Sequence, residues 1–336
     1  EDCLELNLNE LESFGNYKHG SEFLQIPSLQ IGNKTILEWF IVDNYSSWWL
    51  IAPIIHPKFK EATRFIDRLF SLIEKNNLTE FKLESFYDKK ELIEQISKIK
   101  KINFSISNLD YLVFLEKQKI KNLIKKTRYK KITENKFKKR LEIFENLQNE
   151  NLFPENYSLI SSPGIYRRIG WDYTTQQSKK IEFFIQPIID ELVKNNSPIL
   201  LLDLDYTFMG NTRHLEERLS EQTPCFPVEF LLKQPKSAQT ISNLKKLQVS
   251  VEKMKNENMH DAFMYRGISL WNYLKPVFDE IFFEPNLPTY LHLIDVATNF
   301  FKLHPPKVLI QVYESGPYAK SLQIAASKYD IRTIGV

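Results

Sequence analysis

Cysteine is almost missing from this chain. Cys3 and Cys225 are the only two in 336 residues and lie far apart. That excludes a disulfide framework and fits a reduced, cytoplasmic protein. Glycine is scarce too, at nine residues, and no Gly-x-Gly-x-x-Gly fingerprint occurs, so a dinucleotide-type phosphate loop is excluded. No apolar run approaches the roughly 18 residues a membrane-spanning helix needs. The most apolar stretch, Trp48 to Ile55, is far too short, and no signal peptide opens the chain. The histidines at 19, 56, 214, 260, 292 and 304 show no His-Glu-x-x-His or other ligand spacing, so no structural metal is expected. With 43% hydrophobic and 26% charged residues, the chain can bury a large core and is not disordered on a domain scale. It opens on Glu1 and stops on apolar Ile334-Gly335-Val336, which reads as part of a longer protein.

Charge of one sign is concentrated in one place. From Lys117 to Arg140 stand twelve lysines and arginines against one acid, Glu134, a local net charge of +11. The whole chain carries +3, which leaves −8 for the rest. An anionic partner should therefore meet this segment. Ile120, Leu123, Ile124, Phe137, Leu141 and Phe144 give it a helical apolar stripe, so 109–150 reads as one or two cationic amphipathic helices inserted in the fold. Three uses compete: a solvated face, adhesion to an anionic membrane through residues such as Lys125, Lys126, Arg128, Lys130 and Lys131, and nucleic-acid binding, where Tyr129 and Phe137 could stack bases.

Elsewhere helices and strands alternate. Ile36–Val42 reads as a buried strand, followed by a stretch punctuated by Pro53 and Pro57. Helical spacing covers 59–75 and 89–99, with short strands at 79–83 and 102–106. Ser161-Ser162-Pro163-Gly164 reads as a loop, 176–194 as a helix and 199–204 as an interior strand. Helices are expected over 237–258 and 287–303, with a strand at 279–283. This alternation predicts an α/β fold, a mostly parallel sheet flanked by helices. The division it suggests is an N-terminal α/β region (1–108), the basic insertion (109–150) and a Rossmann-like domain (151–336).

Four groups of residues could carry chemistry. The closing segment predicts a strand ending at Tyr313, the turn Glu314-Ser315-Gly316-Pro317, a helix from Tyr318 to Tyr329 and a final strand. Ligands of open α/β sheets sit outside the carboxyl ends of strands, and helix N-termini favour anions. Glu314 there suits a general base or a holder of sugar hydroxyls; a plain loop with a solvated Glu is the other reading. Asp203-Leu204-Asp205-Tyr206-Thr207 resembles the first motif of haloacid-dehalogenase-type phosphatases, which implies Asp203 as nucleophile, Asp205 as acid/base and a Mg²⁺ ion. The later metal motif of that family is missing. Arg213 and His214 suit phosphate contacts or an exposed helix start. Trp48-Trp49 and Tyr265-Arg266-Gly267 with Trp271 suit sugar stacking or core packing.

Tyr265 to Trp271, Val308 to Tyr318, Ala325 to Val336 and the early Asp43 to Trp49 together resemble a family of surface-carbohydrate glycosyltransferases, similar to the UDP-N-acetylglucosamine 2-epimerase and GT-B superfamily. In that family a strand ending in Glu precedes a small turn, an Ala-rich helix and a Thr-x-Gly strand, and continues with Gln-His-Gly, before which this chain stops. The resemblance implies the N-terminal, acceptor-side half of a GT-B fold. A nucleotide-sugar would be the donor and a glycan or lipid-linked molecule the acceptor, at the cytoplasmic membrane face and with no cofactor. It implies that Glu314 and the Ser315-Gly316 turn face the cleft toward a second, donor-binding domain, with Arg266 and Gly267 near it; Glu314 is the catalytic candidate, and Tyr318, Arg213 and His214 are further candidates for substrate contact. The Asp203-Leu204-Asp205 acids and the basic segment depart from the family pattern.

Overall fold

The computed structural model describes residues 23–83, 87–147, 153–172, 176–204, 212–221, 224–314 and 316–336. The chain divides into two compact units. One takes Lys245–Phe283 together with the described residues up to Lys125; the other takes Lys126–Leu244 and Glu284–Val336.

The elements run in this order: α1 (Trp48–Asn76), β1 (Glu80–Leu83), α2 (Lys90–Lys100), β2 (Asn103–Ile106), α3 (Asn108–Leu147), β3 (Ser158–Pro163), β4 (Arg167–Asp172), β5 (Gln177–Glu182), α4 (Gln186–Lys194), β6 (Ile199–Leu204), α5 (Arg213–Ser220), β7 (Cys225–Pro227), α6 (Val228–Leu232), α7 (Ala238–Lys255), α8 (Trp271–Glu280), α9 (Leu287–Leu303), β8 (Val308–Gln311), α10 (Pro317–Ser327) and β9 (Arg332–Gly335). The basic segment is thus one helix, α3, whose first part belongs to the first unit and whose remainder belongs to the second.

In the first unit α1 starts well before the stretch in which the sequence shows its period. It runs through Pro53 and Pro57. Each proline forfeits one backbone bond, at a cost of about 3 kcal/mol in a helix interior. Trp48, Leu50, Ile51, Ala52, Ile55 and Phe59 are all buried on that stretch, and each large one returns about 1.5–3 kcal/mol. Burial wins, and the helix runs on through the proline-punctuated stretch. Ile36–Val42 also differs from expectation: Thr35 caps a short helix, Ile36–Trp39, through a capping box with Glu38, and only Ile41–Val42 is extended. The expected strand at 279–283 begins instead in the last turn of α8. β1 and β2 form a parallel pair, and α2 buries Leu92, Ile93 and Ile96.

The second unit is built on a five-stranded sheet in the order β7-β6-β3-β8-β9, all parallel. β3, β6 and β7 step outward in one direction, and β8 and β9 then continue from the opposite side of β3. This reversal is the arrangement that opens a crevice between the two central strands at their carboxyl ends. The expectation of a parallel sheet flanked by helices holds, and the closing strand–turn–helix–strand is present as β8, α10 and β9. The central strand, however, is β3. Ser161, Ser162 and Pro163, expected in a loop, are its last three residues and are buried. Gln176 to Lys194, expected to be helical throughout, is the strand β5 followed by α4; β5 pairs antiparallel with β4 as a ribbon that leaves the sheet after β3.

Candidate active site at the carboxyl edge of the parallel sheet

β3 and β8 run side by side, with Gln311 opposite Ser161, and the Val312 N–H donates to the Ser161 carbonyl at 3.0 Å. The chain therefore leaves both strands at the same level, through Gly164 on one and Tyr313-Glu314 on the other. Tyr313 is left-handed, with φ 66°, a backbone region that a bulky residue rarely occupies. It turns the chain sharply off the sheet. Gln311, fully buried, donates to the Ala319 carbonyl at 3.0 Å and accepts from Gln323 at 2.7 Å. This side chain ties the end of β8 to α10 and so sets the span of the turn between them. Gly316 precedes α10 and Pro317 opens it, with no side-chain cap. Proline has no N–H to satisfy at that position, and the amides of the first turn face the edge.

Glu314 is exposed at this edge. Its side chain leans over β9: a Cβ built on Gly335 would fall 2.5 Å from Glu314 Cδ and closer still to Oε2. The carboxylate thus lies across β9, on the side of β8 away from β3, and only a glycine at 335 leaves room for it. Gly335→Ala is expected to change stability by less than about 0.5 kcal/mol, since the carboxylate is the mobile end of an exposed chain. If Glu314 handles a proton, the same substitution lowers turnover up to roughly 100-fold by displacing it about 1 Å. Thermal melting and kinetics on one preparation check both halves. A large loss of stability with unchanged turnover would show Gly335 to be purely structural.

On the other side of the crevice His214 packs on Gly164, where a Cβ would meet the His214 Cβ at 3.0 Å. Burial pushes the His214 imidazole down; Glu217, 3.8 Å from Nδ1, opposes this and Arg218 adds to it. The imidazole is thereby biased toward its neutral form, able to accept a proton. Glu217 also receives Arg213 Nε at 2.8 Å and pairs with Lys180. Burial alone would raise the Glu217 carboxyl, but Lys180 and Arg213 outweigh it and hold it low. Arg213 itself is exposed, with its guanidinium paired to Glu217.

Directly beneath lies a buried ionic cluster. Asp203, at 1% exposure, is the penultimate residue of β6 and has both carboxylate oxygens taken: Arg140 Nη2 donates to one at 2.8 Å and Arg218 Nη1 donates to the other. Arg218, at 0% exposure, also grips Glu182 with Nε at 2.8 Å and Nη2 at 2.6 Å, and donates to the Ser162 carbonyl at 3.3 Å. Arg140 Nε donates to Glu229 at 2.7 Å. Ser162 donates to Glu182 at 3.2 Å, and Arg167 reaches Glu182 at 3.5 Å. Burial would raise the Asp203 carboxyl; Arg218, then Arg140, outweigh burial and hold it below its ordinary value. A carboxylate with both oxygens committed to guanidinium groups and no access to solvent is a structural anion. It lacks the freedom of a phosphoryl-attacking nucleophile. Asp205 lies outside the described residues.

Glu229 goes the other way. Burial raises its carboxyl against the opposing pull of Arg140. The folded state then binds more protons than the unfolded one between the ordinary glutamate value, about 4.3, and the raised value. Glu229 therefore lowers stability as pH rises through that window. Glu229→Gln is expected to flatten this part of the stability profile, because the amide still accepts from Arg140. Urea midpoints across the window measure it, and an unchanged slope would remove Glu229 as the cause.

The remaining expected residues fall as follows. Ser315 lies outside the described residues, as do the side chains of Lys125 and Lys126. Arg128, Lys130 and Lys131 are exposed on α3. Tyr318 does not line the edge: its ring is buried and meets Tyr290 edge-on at 5.5 Å between centroids. Arg266 and Gly267 belong to the first unit, where they have local duties. Both have positive φ, 51° and 78°, and form the two-residue turn of the hairpin Met264–Ser269, the turn geometry that suits the twist of paired strands. Arg266 donates to Asp67 at 2.8 Å and stacks on Phe70. Trp48 and Trp271 are core residues, while Trp49 is partly exposed. Among the described residues no group of three or more His, Cys, Asp or Glu could hold a metal ion, and no helix is long and apolar enough to cross a membrane. Sequence reasoning missed Gly335 and Gly164 as the positions against which the two candidate proton-handling side chains lie. The only signal for either was a glycine at a strand end in a glycine-poor chain.

Comparison with protein-family models, curated proteins and solved structures finds no match to this chain.

Proposed function

We propose that the second unit is a Rossmann-like, acceptor-side half of a GT-B-type glycosyltransferase, which transfers a sugar from a nucleotide-sugar to a glycan or lipid-linked acceptor in surface-polysaccharide synthesis at the cytoplasmic face of a membrane. The observation that carries the reading is Glu314, an exposed residue just past the carboxyl end of β8 and directly ahead of α10, with its carboxylate over β9 on the outer side of the strand that borders the reversal. In this reading the Glu314 carboxylate takes the proton of the acceptor hydroxyl. The hydroxyl oxygen bonds to the anomeric carbon of the donor, and the bond from that carbon to the diphosphate breaks. The departing nucleoside diphosphate carries the electron pair away. The helix terminus favours negative charge at this edge. The rival reading, a Mg²⁺-dependent phosphatase built on Asp203 and Asp205, loses support because Asp203 is buried between two arginines.

Incubation of the chain with a panel of nucleotide-sugars, with and without oligosaccharide or lipid-linked acceptors, tests the proposal by release of nucleoside diphosphate. Acceptor-dependent release is expected. Release that no acceptor stimulates, or the absence of both release and acceptor binding, would sink it. Phosphate release from simple phosphomonoesters that Asp203→Asn abolishes would transfer the function to the rival.

A further inference from the structure

α3 runs for 40 residues, and the face it shows differs between its two parts. At the carboxyl end Arg140 and Phe144 are buried in the second unit. Toward the amino end, Leu109, Leu112, Val113, Ile120 and Ile124 are all exposed, Ile120 at 56% and Ile124 at 60%. At roughly 100° per residue these five share an arc of about 120°. That arc points away from the face on which Tyr111, Phe114, Leu115 and Gln118 are partly covered. The apolar stripe is therefore additional to the surface α3 uses for packing.

Lys117, Lys119 and Lys121 stand beside this stripe in the same unit, all exposed. Two acids temper it: Glu116, exposed within the same arc, meets Lys119 at 2.7 Å, and exposed Asp110 falls on the margin beside Lys117. Two components thus coincide on one helix, a row of aliphatic side chains and a cationic margin. Phosphate backbones use the second and have no use for the first. A lipid surface uses both, since the aliphatic row enters the acyl boundary while lysines meet anionic headgroups.

We infer that the part of α3 in the first unit, up to Lys125, lies flat on an anionic lipid surface, with Leu109, Val113, Ile120 and Ile124 inserted and Lys117, Lys119 and Lys121 at the headgroups. The inference is independent of the sugar-transfer reading: it rests on α3 alone and stands or falls without Glu314.

Sedimentation of the whole chain with vesicles tests it. Vesicles with roughly one-third phosphatidylglycerol in phosphatidylcholine should bind at least about tenfold better than phosphatidylcholine alone. Ile120→Glu with Ile124→Glu should lower that binding about tenfold, and so should Lys117→Glu, Lys119→Glu and Lys121→Glu together. Ile120→Leu with Ile124→Leu, and the three lysines changed to Arg, should bind as the parent does, which separates lost insertion from lost folding. Three results would overturn the inference: no preference for anionic vesicles, wild-type binding by the double glutamate variant, or displacement from vesicles by an equal mass of an RNA oligonucleotide. The last would assign the charge to nucleic acid.

Discussion

Arg218→Leu is expected to cost the second unit about 3–5 kcal/mol, the loss that follows when one partner of a buried ion pair is removed and the others stay. Arg218 is fully buried and serves Asp203, Glu182 and the Ser162 carbonyl at once. Without it Asp203 keeps only Arg140, and Glu182 keeps Arg167 at 3.5 Å. A domain commonly has 5–15 kcal/mol in total, so the variant should stand near the edge of unfolding. Arg218→Lys is expected to fare little better, because an ammonium cannot span the two carboxylates that the guanidinium fork reaches. Urea denaturation followed by circular dichroism measures both. A loss below about 1 kcal/mol for the leucine variant would show that water or a shifted Arg140 replaces the missing charge. Acid should act on the same cluster. The contribution of Asp203 is complete above the ordinary aspartate value, about 3.9, and is lost as pH falls through its lowered value in the folded state.

Glu314→Gln is expected to reduce turnover by roughly 100- to 10,000-fold, the range that removal of a positioned general base produces, while leaving folding intact. The side chain is exposed, and the substitution keeps its shape over Gly335. Donor affinity should change far less than turnover, because the amide still occupies the same space. A KM that rises while kcat holds would make Glu314 a binding group for sugar hydroxyls, and no change in either would remove it from the site. His214→Gln is the natural companion. If Glu314 loses its effect and the His214 variant is dead, the proton is handled on the Gly164 side of the crevice.

How far these features can be read from sequence follows from where their partners sit. β8, α10 and β9 are legible because every signal is local: a short apolar run, Pro305-Pro306 before it, Gly316-Pro317 at the helix start and a buried alanine pair at 325–326. β3 is not, although it is the middle of the sheet. Its serines look like loop residues, yet they are buried by flanking strands, with the Ser162 hydroxyl bonded to a glutamate twenty residues on. The long start of α1 is hidden by two prolines whose cost is met by burial against residues distant in sequence. The ionic cluster is the least legible of all. Arg140, Arg167, Glu182, Asp203, Arg218 and Glu229 come from six separate elements, and no spacing rule joins them. Asp203 looked like chemistry because it ends a strand beside a second acid; its arginine partners lie 63 and 15 positions away.

The strand order has a consequence for the chain as it is made. β3, β6 and β7 are synthesised in succession and can pair at once, but β8 belongs between β3 and β9. At roughly 5–20 residues per second, the ribosome needs many seconds to deliver it, because residues of the other unit come first. During that interval the hydrogen-bonding edge of β3 has no neighbour, and an open edge is a template for pairing with another chain. The candidate crevice can form only when β8 arrives to close that edge, so the site forms after β3, β6 and β7 have already paired.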